Sequence, residues 1–179
     1  VAEIPQPEIP AHLERMAHDT FHLPRLHPED LAETRRRGVI GMIPGQIITQ
    51  DRGYAEGVDI SKDILKMAVV ERHKNTRHIG IGYLNGYGLK EGAVATSVAH
   101  DSHNIICVGE NDADMALAVN RIAENHGGIV VVKNGQILAE LPLEIAGLMS
   151  EKPLTEVNTL LEDAKAAAHT LGVSMDIDP

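Results

Sequence analysis

Between residues 92 and 99, small and larger side chains alternate: Ala93, Ala95, Ser97 and Ala99 share one face of an extended chain, and Val94, Thr96 and Val98 the other. Successive strand side chains point to opposite faces. A run with no charge on either face is a strand buried on both sides, and its small-residue face lets one covering layer come unusually near. Residues 105–109 (IICVG) form the next apolar run and residues 65–71 (LKMAVVE) another. Residues 129–132 and 137–141 flank Asn134-Gly135. Both of those turn residues accept the positive φ of a type I′ turn, which predicts a hairpin. Residues 39–43 and 46–49 flank Pro44-Gly45, predicting a second hairpin or a kinked strand.

Two helices stand beside these strands. Asn111 offers an N-cap with Asp114 three residues on; Met115, Ala118, Val119 and Ile122 follow at helical spacing, and Gly127 ends the helix. Leu154, Val157, Leu161, Ala164, Ala168 and Leu171 recur at intervals of three and four, with Pro153 near the start and Gly172 past the end. That is an amphipathic helix packed on a sheet. Hairpins are too frequent for regular strand–helix–strand alternation, so the fold class is α+β: a mixed β-sheet with hairpins packed against two main helices. The glycines at 80, 82, 86, 88 and 92 read as turns and tight packing.

Residues 1–37 differ from the rest, holding Pro5, Pro7, Pro10 and Pro24 together with His12, His18, His22 and His27. They read as an extended lead-in, with a short helical piece after Pro28 where Glu29 and Asp30 suit a helix N-terminus. Residues 38–179 form the folded domain.

Composition removes several function classes. The 16 basic and 26 acidic residues leave a net charge of −10, which repels phosphate backbones and anionic lipids, so neither nucleic acid nor membrane is expected as a partner. The single cysteine, Cys107, lies in an apolar run; it excludes an internal disulfide and reads as a buried structural thiol in a reducing compartment. No stretch approaches about 18 consecutive apolar residues. The first residues, Val1-Ala2-Glu3, carry neither a basic region nor an apolar signal core. A cytoplasmic location is expected.

The densest polar constellation is His100, Asp101, Ser102, His103 and Asn104, set between two apolar strands. Such a loop exposes side chains from a rigid scaffold. Histidine serves as acid, base or metal ligand near neutral pH, and a neighbouring carboxylate can orient it. A polar turn explains the same residues, since Asp, Ser and Asn are turn formers, and a metal site would need ligands from elsewhere. His73 and His78, among Glu71, Arg72, Lys74 and Arg77, read as a solvated charged face. The glycine-rich stretch fits neither a P-loop nor a dinucleotide fingerprint. Glu110, Asn111, Asp112 and Asp114 are explained by helix capping without a cation. Ser97 and Ser102 lack the setting of a hydrolase nucleophile.

Four runs taken together, GVIGMIPGQIIT (38–49), DILKMAVVERHKNT (63–76), GAVATSVAHDSHNIICVGENDADMALAVN (92–120) and GGIVVVKNGQILAELPLEIAGLMS (127–150), resemble the C-terminal region of bacterial adenine deaminases, members of the amidohydrolase superfamily. The resemblance spans about residues 20–175 and rests on long ordered strings, AHDSHN and LPLEIAGLMS above all. It implies hydrolysis of adenine to hypoxanthine and ammonia in purine salvage, with manganese or iron held on an upstream (β/α)8 barrel. The His-x-His that opens such a metal site occurs nowhere in this sequence, so no superfamily ligand carries over to a residue of this chain and no cofactor is expected in it. The H-x-E and P-C-x-x-C signature of cytidine-type zinc deaminases is absent too. The resemblance also implies a chain continuing past Asp178 and Pro179, so the domain is expected to be truncated at that edge. The resemblance further implies that His100, Asp101, His103 and Asn104 form a composite-site loop facing the barrel, expected to position adenine, relay a proton or close the site. The alternative is a non-catalytic module for assembly or homo-oligomerisation of the same enzyme.

Overall fold

The computed structural model describes residues 8–46 and 48–177. Pro5 and Pro7 of the lead-in, Ile47 of the second predicted run, and Asp178 and Pro179 lie outside these. In chain order the elements are α1 (Ala11–His18), β1 (Arg37–Met42), β2 (Thr49–Ala55), β3 (Ile64–Val70), β4 (Ile79–Asn85), β5 (Ala93–Thr96), β6 (Ile105–Gly109), α2 (Asp112–Glu124), β7 (Gly128–Lys133), β8 (Gln136–Pro142) and α3 (Leu154–Thr170). The eight strands form one sheet in the order β2-β1-β4-β3-β6-β5-β7-β8. β1 and β4 pair in parallel, and every other neighbouring pair is antiparallel. This is the expected α+β mixed sheet, with α2 on one face and α3 on the other.

The α2 face holds the tighter core. Ala68, Val70, Ala95, Cys107, Met115 and Ile122 meet there, each at most 2% exposed, and the small residues of β5 are what let α2 approach. Burial pushes the Cys107 thiol well above its usual range, as an inert structural thiol requires. The lead-in joins this core through Leu26 and Leu31. Asn120 fixes it: the Asn120 side chain accepts from the Leu26 N–H and donates to the Leu26 carbonyl, both at 2.8 Å. The piece after Pro28 is a 3₁₀ turn, Pro28–Leu31.

Both hairpins are present, with local differences from the sequence reading. The Asn134-Gly135 turn has φ of 51° and 73°, and the Asp114 carboxylate accepts both turn amides, at 2.9 and 2.7 Å. Asn111 caps α2 by accepting from the Asp114 N–H at 2.8 Å. The end of α2 falls one residue earlier than glycine placement suggests: His126 takes the left-handed position (φ 56°) and the Gly127 N–H reaches back to the Ile122 carbonyl at 2.9 Å, a Schellman turn.

Two strands escape the sequence pattern. β2 runs on to Ala55 although most of its side chains are exposed, because backbone pairing with β1 holds it. Residues 79–85 form β4 where the sequence reads as turns; Gly80 and Gly82 lie inside it, opposite Val69 and Met67. The turns begin only after it, and the Gly86 and Gly88 amides are taken by the Asp63 carboxylate at 2.9 Å each, so they cradle no phosphate. Gly92 is required sterically: at φ +77° its Cβ would lie 2.2 Å from the Val132 carbonyl. The terminal helix follows its predicted stripe only in its second half, where Ala164 and Ala168 are buried, whereas Leu154 stands 83% exposed.

Candidate functional site

The alternation that puts Lys66, Ala68 and Val70 on the α2 side of β3 carries Arg72, two residues past the last of them, to the same side. Arg72 is 2% exposed, not part of a solvated face. Its Nε donates to the His103 carbonyl at 2.5 Å. One terminal nitrogen donates to the Thr20 carbonyl and hydroxyl, at 2.8 and 3.1 Å, and the other to the Ala146 carbonyl at 3.0 Å. The guanidinium lies 4.1 Å from the centroid of the Phe21 ring, a cation–π contact. Burial holds its proton affinity below the ordinary arginine value.

Only a planar fork with five donors spans three segments in this way. The run at 63–76 supplies the arginine, the run at 92–120 the His103 carbonyl, and the run at 127–150 the Ala146 carbonyl. Thr20 adds the lead-in. A second fastening lies beside it: the buried Ser97 hydroxyl donates to the Gly147 carbonyl at 2.6 Å and accepts from the Gly128 N–H at 2.8 Å. Ser97 is thus a structural hydroxyl. Gly147, at φ +74°, leaves room for Phe21, whose ring a Cβ would approach to 3.0 Å.

The turn hung on this hub carries all four predicted site residues. The His103 N–H donates to the Ala99 carbonyl at 2.6 Å, and the Ala99 N–H donates to His103 Nδ1 at 3.3 Å. With Nδ1 accepting, Nε2 carries the ring proton. The His100 and His103 rings stand side by side, centroids 5.4 Å apart and planes at 63°. His100, Asp101 and Ser102 are exposed; His103 and Asn104 are half-buried. Asn104 Oδ1 is buried and accepts no hydrogen bond within the described residues. From the neighbouring loop, His73 Nε2 lies 3.0 Å from the Ser102 carbonyl and donates to it. His100 also lines a groove of about 930 Å³ on the α3 side, together with Thr96, Val98, Ile106, Leu143 and Lys165.

The family described as adenine deaminase C-terminal domain matches residues 46–178, a span that contains Arg72, the 99–104 turn and Ala146. The chain belongs to this family. Its curated relatives include an adenine deaminase of Carboxydothermus hydrogenoformans, 43% identical over 177 residues, covering 93% of this chain and 31% of the relative. Others are adenine deaminase 1 of Rhizobium meliloti, 48% identical over 77% of this chain and 26% of the relative, and that of Gluconobacter oxydans, 46% identical over 88% and 30%. The chain thus spans less than a third of the length of these relatives.

Among the described residues of this adenine deaminase C-terminal domain, no three His, Cys, Asp or Glu side chains come together to hold a metal ion. Among the described residues the His100–His103 pair has no third ligand, so the turn by itself does not fit manganese or iron. The acidic run at 110–114 is committed elsewhere: Asp112 pairs with Lys66, and Asp114 holds the hairpin turn. No helix among the described residues is long and apolar enough to cross a membrane.

The loop that supports the turn depends on Glu71. Burial pushes its carboxyl up, but the Thr76 hydroxyl and the amides of Thr76, His73 and Lys74 outweigh this and bring it from 4.5 to about 2. The folded value lies below the unfolded one. The contribution is therefore complete above pH 4.5 and is lost as pH falls toward 2. Amide exchange at residues 73–76, corrected for intrinsic rates, is expected to accelerate across that window, and Glu71→Gln to exchange fast throughout; pH-independent protection would contradict this.

Proposed function

We propose that this chain is the C-terminal part of an adenine deaminase and that its 99–104 turn works at the mouth of the upstream barrel. In the reaction a water oxygen bonds to C6 of adenine, the C6–N bond to the amino group breaks, one of the water's protons leaves with that group as ammonia, and the other stays on a ring nitrogen of the product, hypoxanthine. In this reading manganese or iron belongs to the barrel, and nothing this chain does runs through it. The turn's share is to orient and carry protons. His103 Nε2–H donates toward a purine ring nitrogen, Asp101 accepts from an N–H group, Asn104 holds the turn behind them, and the exposed His100 exchanges protons with solvent and closes the edge of the site.

One observation carries this reading: Arg72 ties the turn and the lead-in to a single point, so the turn is held rigidly beside the chain that comes from upstream. The aromatic residues support a division of labour. Phe21 lies under Arg72, Tyr83 and Tyr87 are buried, and Tyr54 stacks with Arg36, so none is placed to stack on a purine at the turn. The barrel holds the base. The enzyme is cytoplasmic and serves purine salvage in this account.

An assay of ammonia release from adenine, run on this chain beside the full-length enzyme with metal analysis of both, tests it. The chain alone is expected to release none and to bind no stoichiometric metal; turnover by the chain alone would overturn the proposal. A second reading, an assembly or homo-oligomerisation module, is favoured by the open apolar face of the sheet. It predicts normal turnover after replacement of the turn's side chains.

A further inference from the structure

The sheet face opposite α2 is only partly covered. α3 packs on β7 and β8, and Tyr87, Leu89, Val173 and Ile177 close the end of the face at Leu65, Leu84, Val94 and Val108; the other end, at Ile40, Met67, Val69, Thr96 and Ile106, lies open. Thr96, Ile106, Met67 and Ile40 line the groove of about 930 Å³ beside α3, and Val69, Gly80 and Gly82 continue it into an adjoining hollow of about 560 Å³. The registers put Met67 beside Gly82 and Val108, and Val69 beside Gly80 and Ile106, so β3, β4, β5 and β6 present no charged side chain on this side. The glycines keep it shallow. A continuous apolar surface of this kind is an interaction site.

The greater length of the relatives points to an occupant. This chain matches 31% of one adenine deaminase and 30% of another, so more than two thirds of each lies outside the match. The lead-in sits at the groove's His100 and Leu143 end: three residues on from Leu143, the Ala146 N–H donates to the Ala17 carbonyl of α1 at 2.6 Å, and His18 Nε2 lies 3.4 Å from the Glu151 carboxylate. We infer that the open face is the seat of the upstream catalytic part of the same chain, which rests on the reading proposed above. Seating that part fixes His100, which lines the groove, against it.

The test places thiols on the face by Met67→Cys and, separately, Ile106→Cys, in this chain and in the full-length enzyme carrying it. The native Cys107 is fully buried and stays silent to a maleimide. Labelling resolved by residue is expected to be fast in the chain alone at every concentration, and slowed more than about tenfold in the full-length enzyme, as burial behind a local opening requires. Equal rates in both would overturn the inference. So would protection in the chain alone, whether it grows with concentration, which would give the face to a second copy, or does not, which would mean the face is already closed. Failure of the catalytic reading is separate: the face would be protected while replacement of His100 and His103 left turnover intact.

Discussion

Arg72→Ala is expected to lower the unfolding free energy of this chain by about 3 kcal/mol or more, because each buried acceptor left without a donor costs about 1–3 kcal/mol. The carbonyls of Thr20, His103 and Ala146 all lose their donor at once, and the Phe21 ring loses the group that covers it. Arg72→Lys recovers less than half of the loss, since one ammonium on a flexible stem cannot span three segments as the fork does. Urea denaturation midpoints check both. Local amide exchange at residues 99–104 should rise in parallel, because the turn is held through the His103 carbonyl. A midpoint unchanged by Arg72→Ala would mean the hub contributes nothing, and the turn's rigidity would need another cause.

Where side-chain pattern decided the structure, the sequence was readable. The small-residue face of β5, the Asn134-Gly135 turn and the Asn111 cap are local rules, and each appears as read; β5 itself stops at Thr96, and its other face is not buried throughout, since Val98 stays 41% exposed. Where backbone pairing or a distant partner decided, it was not. β2 carries exposed polar residues that no alternation marks, and Gly80 and Gly82 look like turn residues until β3 and β1 are found on either side of β4. The stripe of α3 is real, but it is buried only from Ala164 on, and Leu154 stays in water. The candidate site was legible as a string and not as a geometry. His100, Asp101, His103 and Asn104 do share one turn, and that turn is the bland reading as well as the functional one. Arg72 was hidden because it sits among Glu71, His73 and Lys74, although its even spacing from Ala68 and Val70 pointed to the core.

The second large effect concerns turnover in the full-length enzyme. His100→Ala combined with His103→Ala removes both imidazoles from the turn while leaving Arg72 and its carbonyl partners in place. Positioned proton transfer contributes about 10²–10⁴ in rate, and misplacement by an ångström about 10², so kcat is expected to fall about a hundredfold. Because the turn does not fit a metal, metal content is expected to stay at the wild-type level. His100 is exposed, but His103 Nδ1 accepts from the Ala99 N–H, so the unfolding free energy is expected to fall by about 1 kcal/mol, one hydrogen bond, too little to unfold the domain. A loss of kcat with metal lost as well would point to a disturbed barrel instead of a missing side chain.

The rate of hypoxanthine formation from adenine by that double variant, measured beside metal content and assembly size, tests the account most directly. The account predicts a kcat reduced about a hundredfold with wild-type metal content and unchanged assembly; normal turnover with normal metal content would contradict it and leave the 99–104 turn as structure alone.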